Sequence, residues 1–216
     1  MNEDTIIQKT IEFVKTTLEN AKPSHDFFHI ERVYNMAVHI AEEEKVDNML
    51  VVKLGALLHD IADYKYHDGD ETIGPKIAGE FLSSLGIDDD IIVHVQNIIK
   101  NISYSTNLGK VTFQSKELDI VKDADKLDAL GAVGIARCLC FSGEKGREIY
   151  NPKIEVKLNM SKEEYKKHKS TAINHFYEKL LTLKDLIITD TGKKIAQERH
   201  TFMEKYLEQF MKEINF

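Results

Sequence analysis

Apolar side chains recur at three- and four-residue spacing along most of the chain, which is the period of an α-helix and not the alternation of a β-strand. Only 3 Pro and 11 Gly interrupt this pattern, so long helices are favoured over short strands separated by turns. The pattern predicts an all-α bundle with helices at about 6–18, 29–45, 49–62, 76–85, 88–102, 115–131, 134–141, 161–183 and 190–211.

Local residues suggest where some of these helices begin. Asp47 is a plausible N-cap for the very apolar third helix, and Ser161 with Glu164 has the spacing of a capping box that would open the helix 161–183. The longest irregular segment, 142–160, lies between these helical stretches, and a loop of this length in a compact domain is often functional.

Length and composition narrow the class of protein. The 216 residues are 42% hydrophobic and 30% charged, which fits one globular domain and excludes a disordered or membrane-embedded chain. The formal charge of −7 argues against a broad basic surface for nucleic acid. The N-terminus is acidic, and no apolar stretch is long enough to span a bilayer. Cys138 and Cys140 are two residues apart, so on a helix they point to different faces and a disulfide between them is not expected. We therefore expect a cytoplasmic protein with reduced thiols.

Three segments carry unusual polar residues. His59 and Asp60 stand at the end of the most apolar helix, His25 and His29 lie four residues apart before the second helix, and Asp125 lies inside an apolar repeat. Imidazole and carboxylate groups together are the donors preferred by Mn²⁺, Fe²⁺ or Zn²⁺, whereas Ca²⁺ and Mg²⁺ favour oxygen alone. The spacing therefore indicates a transition-metal site.

These residues also carry a resemblance to a known family. The order His29, His59-Asp60, Asp125 resembles the H…HD…D pattern of the HD-domain metal-dependent phosphohydrolases. Within them the chain is similar to the bacterial YpgQ/YedJ-like group, over about residues 22–210. The segments that carry this likeness are SHDFFHIERV, LLHDIADYK, GDE, IIKNISYS, DADKLDALGAVGIAR and TAINHFYEKLLTLKD.

The resemblance implies a fold, a cofactor and a reaction. The fold is the HD-domain helical bundle, taken as a single domain over 1–216 with a metal-site core at about 22–140 and C-terminal helices 161–212 packing on it. The ligands of one divalent ion would be His29, His59, Asp60 and Asp125. Mn²⁺ is preferred, with Mg²⁺, Co²⁺, Fe²⁺ and Ni²⁺ as alternatives, and the reaction is hydrolysis of a phosphoric ester or anhydride.

Further residues are candidates for acid–base chemistry and for substrate binding. Asp63 and Asp70, which follow the His-Asp pair, are the candidates for handling the attacking water, and Glu71 is more simply a solvated loop residue. His25 either contacts the substrate or supports the site, with protonation of the leaving group as the alternative. The candidates for phosphate contacts are Arg32, Lys65, Lys126 and Arg147, the last in a segment that would close over the substrate.

The resemblance to this group further implies hydrolysis of a small nucleotide, with a nucleoside or deoxynucleoside triphosphate expected to be cleaved to the monophosphate and pyrophosphate. Alternatives within the same chemistry are a nucleoside monophosphate phosphatase and a guanosine tetraphosphate hydrolase. A non-catalytic nucleotide or metal sensor on the same fold is the alternative outside enzymes. No membrane or nucleic acid partner is expected, and a homodimer is left open.

Overall fold

The computed structural model describes residues 1–19, 26–61, 72–102, 113–158, 160, 164, 168 and 170–215. Within these residues every regular element of secondary structure is a helix. The helices are α1 Glu3–Thr17, α2 Phe27–Glu43, α3 Met49–Leu58, α4 Ile73–Ser84, α5 Asp89–Asn101, α6 Lys116–Asp128, α7 Gly131–Glu144, α8 Ala172–Glu178 and α9 Asp190–Ile214, with a 3-10 helical segment at Leu180–Leu186 between the last two. The all-α prediction is confirmed.

Several boundaries differ from those that the sequence predicts. Asn48, and not Asp47, caps α3, because its side-chain oxygen accepts a hydrogen bond from the backbone N–H of Val51 at 3.3 Å. The helix predicted for 161–183 is wrong as a continuous element: residues 168 and 170–171 are not helical, and α8 begins only after the cap at Thr171. Ser161, the first residue of the predicted capping box, lies outside the described residues.

The chain divides into two compact units, Met1–Ala124 and Asp125–Phe216. In the first unit α3 packs against α1, α2 and α5, and α4 packs against α5. Gly55 allows the neighbouring helices to approach the middle of α3 closely. A Cβ atom at this position would lie 3.1 Å from Ile98 of α5 and 3.6 Å from Val121 of α6. Close packing from several sides explains why α3 is so apolar in sequence.

The second unit contains the end of α6 and the helices α7, α8 and α9. The long helix α9 packs against α7 and the 3-10 segment, and Phe176 of α8 is fully buried with its ring 5.9 Å from that of Tyr206. The preceding loop satisfies the start of α8, because the carbonyls of Glu148 and Ile149 accept hydrogen bonds from the first two amides of that helix. The expectation of a single domain over 1–216 stays a prediction.

Two further expectations concern thiols and membranes. Cys138 and Cys140 are free thiols, and burial raises the pKa of Cys138 to about 11. Across the described segments, no helix has both the length and the apolar character that crossing a bilayer requires.

His175 is a titratable group inside the second unit. Burial lowers its pKa to about 4, and the positive charges of Lys179 and Arg147 act in the same direction while Glu178 opposes them. An unfolded chain would titrate this histidine near pH 6.5, so between about pH 6.5 and 4 the unfolded state binds the extra proton. Stability contributed by the neutral ring is therefore complete above pH 6.5 and is lost as the pH falls.

We expect His175→Gln to flatten this part of the pH dependence. In the wild type the group contributes a loss of up to about 1.4 kcal/mol in unfolding free energy per pH unit between these two pKa values. Urea denaturation at about pH 7, 6 and 5 measures the slope, with His39→Gln, an exposed histidine of α2, as the control. Equal slopes for wild type and His175→Gln would contradict the assignment.

Candidate metal centre

His59 is placed at the C-terminal end of α3 and is buried, with 7% of its surface exposed. Its Nδ1 lies 2.8 Å from the carbonyl oxygen of Ala56, one of the last carbonyls of that helix. Because a carbonyl can only accept, Nδ1 carries the proton, and the lone pair of the neutral ring is on Nε2. The bond therefore satisfies a carbonyl at the end of the helix and orients the ring so that Nε2 could bind a metal ion.

His29 occupies the first turn of α2 and is 2% exposed. It heads the buried stripe that continues through Val33 and Ala37, which places an imidazole where helical spacing would normally put an apolar residue. Asp26 caps this helix: its Oδ1 accepts a hydrogen bond from the backbone N–H of His29 at 3.0 Å. The rings of His29 and His59 lie edge to face, with centroids 5.3 Å apart.

Asp125 supplies a carboxylate to the same place. It is the residue after Ala124 in the continuous helix α6 and is half-buried. One ligand atom from each of His29, His59 and Asp125 lies within 4.8 Å of the others, which is close enough to share one ion. The sequence prediction had grouped these three residues from three separate segments, and the structure brings them together.

The donor set fits a divalent transition metal. Two buried imidazoles and one carboxylate offer nitrogen and oxygen, which suits Mn²⁺, Fe²⁺, Co²⁺, Ni²⁺ or Zn²⁺ better than Ca²⁺. The three side chains would hold such an ion and leave further coordination positions for water or phosphate. Asp60 follows His59 directly and is half-buried, but it is not one of the three residues whose ligand atoms lie together. Its role as fourth ligand stays a prediction.

The remaining predicted residues fall into two groups. Four of them, His25, Asp63, Lys65 and Asp70, lie outside the described residues, as does Glu71. The other three, Arg32, Lys126 and Arg147, are described.

Arg32 is half-buried on α2, one turn after His29. Lys126 donates from Nζ to the carbonyl oxygen of Leu186 at 3.1 Å, a contact within the second unit. Arg147 lies with its guanidinium 5.5 Å from the ring of Phe141, while its backbone N–H donates to the carbonyl of Ser142 at 2.8 Å. Ser142 belongs to α7, so the irregular segment begins later than predicted. The substrate contacts of these three cations stay predictions.

Some residues of structural importance were not found from the sequence. His94 has its Nε2 2.9 Å from the hydroxyl of Ser115 at the start of α6. Arg137 and Arg199, which bind the end of α6, carry no local sequence pattern that marks them.

Comparison with known proteins identifies the family. The HD domain model matches residues 26–130, a range that contains all three donors of the metal group. YpgQ of Bacillus subtilis is 34% identical over 206 residues, covering 94% of this chain and 90% of that protein. The chain belongs to the HD-domain family. It is a hydrolase of the metal-dependent HD superfamily and is similar to the YpgQ group within it.

Solved structures of HD proteins are similar over nearly the full length. An HD-superfamily hydrolase from Bacillus thuringiensis is 40% identical with a TM-score of 0.77, covering 99% of both chains. The structure of B. subtilis YpgQ in complex with ADP is 34% identical with a TM-score of 0.79, covering 99% of this chain and 97% of that one. The helical HD fold expected from the sequence is thus confirmed.

We expect His59→Gln to abolish tight metal binding while the chain stays helical. Loss of residues that only orient ligands weakens metal binding about 10- to 100-fold, so loss of a buried ligand should cost at least about 100-fold. Isothermal titration with Mn²⁺ measures the affinity, and circular dichroism checks the fold. His39→Gln, an exposed histidine of α2, is the matched control and should bind like the wild type. Unchanged affinity in His59→Gln would show that the ion binds elsewhere.

Proposed function

We propose that this HD-superfamily hydrolase acts on nucleoside or deoxynucleoside triphosphates, releasing the monophosphate and pyrophosphate, with Mn²⁺ as the preferred ion. The observation that carries the proposal is the group formed by His29, His59 and Asp125, whose ligand atoms lie within 4.8 Å in a chain of the HD family. A divalent ion held there supplies Lewis acidity toward phosphate oxygens and activates water for attack on phosphorus.

The nucleotide part of the proposal is supported by a relative. YpgQ, which is similar over nearly the whole chain, has been solved in complex with ADP. A bound nucleoside diphosphate shows that a protein of this group accommodates a base, a ribose and a phosphate chain. The same class of ligand is the proposed substrate here.

The chain's own side chains would perform the other steps. Arg32, on the helix that carries His29, is the candidate for gripping a phosphate oxygen, because a guanidinium binds such oxygens bidentately. Arg147 and Lys126 are further candidates for the phosphate chain, and Lys65 is another. Asp63 and Asp70 are proposed to orient or deprotonate the attacking water, and His25 to contact the substrate or protonate the leaving group. Asp60 is proposed as the fourth metal ligand.

A nucleotide panel tests the reaction directly. Purified protein is incubated with nucleoside mono-, di- and triphosphates and with guanosine tetraphosphate, each with Mn²⁺, Mg²⁺ or Co²⁺, and the products are identified by phosphorus NMR. Pyrophosphate from triphosphates supports the proposal. Orthophosphate from monophosphates would replace it with a phosphatase, and turnover of guanosine tetraphosphate alone would replace it with that hydrolase. Metal binding without turnover of any compound would indicate a sensor.

We expect Asp60→Ala to lose both turnover and metal. Removing one carboxylate ligand lowers the affinity for the ion and removes negative charge that holds it, so kcat/KM for the best triphosphate should fall by at least about 1000-fold. Steady-state kinetics and metal analysis of the purified variant measure the two effects. Asp47→Ala removes an exposed carboxylate ahead of α3 and should retain wild-type activity. Full turnover in Asp60→Ala would exclude Asp60 as a ligand.

A further inference from the structure

The C-terminal turn of α6 is bound by arginines from two later helices. Arg199 of α9 donates from Nη1 to the carbonyl oxygen of Leu127 at 2.6 Å. Arg137 of α7 donates to the carbonyl of Asp128 at 3.4 Å, and the same nitrogen lies 3.0 Å from the carboxylate oxygen of Asp128. The carbonyl of Leu127 also accepts a hydrogen bond from the backbone N–H of Leu130 at 3.1 Å, so Arg199 adds a second, charged donor to it. The last carbonyls of a helix form the negative end of its dipole, and cations at this point are therefore favourable.

Arg199 reaches this turn through a gap that only glycine leaves. Gly131, just after α6, has a φ of +71°, and a Cβ atom there would lie 3.0 Å from Cγ and 3.2 Å from Cβ of Arg199. Gly131 therefore allows both the backbone turn between α6 and α7 and the path of the Arg199 side chain. Burial lowers the pKa of Arg199 and nearby Asp128 raises it, and an arginine so placed stays charged at neutral pH.

Asp125 lies in this same turn of α6. The carbonyl acceptor of Arg199 is only two residues further along the helix, at Leu127. Lys126, between them, donates to the carbonyl of Leu186, so a third cation ties the turn to the 3-10 segment. The turn that carries the carboxylate donor of the metal group is thus held from three elements of the second unit.

We propose that Arg199 is a positioning residue for the metal centre: by binding the carbonyl of Leu127 it prevents the last turn of α6 from fraying and so fixes the carboxylate of Asp125 toward the ion. This inference rests on the proposed role of Asp125 as a metal ligand. Helix ends fray unless capped, and a ligand whose backbone moves samples coordinating positions for only part of the time. A lower fraction of the competent state lowers the apparent affinity in proportion.

The test measures Mn²⁺ affinity directly, by electron paramagnetic resonance of the free ion at a temperature well below unfolding. Arg199→Ala is expected to weaken binding about 10-fold, in the range found for residues that orient metal ligands. Arg199→Lys keeps the charge and one donor and should weaken binding about threefold. Lys193→Ala removes an exposed cation of the same helix, paired only at the surface with Asp190, and should bind like the wild type.

Asp125→Asn distinguishes the proposed ligand role of Asp125 from the proposed positioning role of Arg199. If that variant binds Mn²⁺ as the wild type does, the proposed role of Asp125 fails, whatever the arginine variants do. If it loses binding but Arg199→Ala only lowers the unfolding temperature and leaves the affinity unchanged, the arginine is purely structural and the inference is overturned. Should Arg199→Ala not fold, Arg199→Lys decides: weaker binding with unchanged helix content supports the inference, and unchanged binding overturns it.

Discussion

The burial of the His29 and His59 rings in edge-to-face contact is the constraint on which the first unit depends. Polar groups removed from water cost free energy unless they find partners, and His29 and His59 are almost completely buried with ring centroids 5.3 Å apart. Asp26 caps the start of α2 at His29, and the carbonyl of Ala56 fixes the proton on His59. Helix termini thus fix the backbone that carries His29 and the orientation of the His59 ring.

Helices and polar residues inside apolar patterns both leave local marks in the sequence, so the all-α fold and the grouping of His29, His59 and Asp125 were accessible from it. Helical spacing of apolar residues identifies α2, α3 and α6, and a histidine or aspartate inside such a spacing stands out, as His29 and Asp125 do. The first and last residues of the helices were less certain. Asp47 and Asn48 are equally favourable N-cap residues by type, and only the backbone geometry shows that Asn48 caps α3. The helix predicted for 161–183 failed because Thr171 starts a new helix inside an otherwise helical pattern.

Contacts between distant residues could not be predicted in this way. Arg199 binds a backbone carbonyl 72 positions earlier, and a carbonyl carries no residue identity that a sequence pattern could reveal. The hydrogen bond from the Lys126 ammonium to the carbonyl of Leu186 is a second example, because no sequence pattern marks that carbonyl either. Although the chain has a formal charge of −7, three cations lie at the end of α6, namely Lys126, Arg137 and Arg199. The two arginines donate to main-chain carbonyls of that helix end.

The helix α6 carries both the proposed metal donor Asp125 and the carbonyls that the two arginines bind. Its residues up to Ala124 belong to the first unit, and its last turn, with Asp125, is capped by α7 and α9. If Asp125 binds the ion as proposed, the ion selects the ordered form of that turn, so metal binding and capping would be thermodynamically linked and each would strengthen the other by the same factor. On this proposal, the affinity of an HD-type centre built on a helix end also depends on residues that do not coordinate the ion. Arg199 of α9 would be such a residue, although the His-Asp motif does not include it.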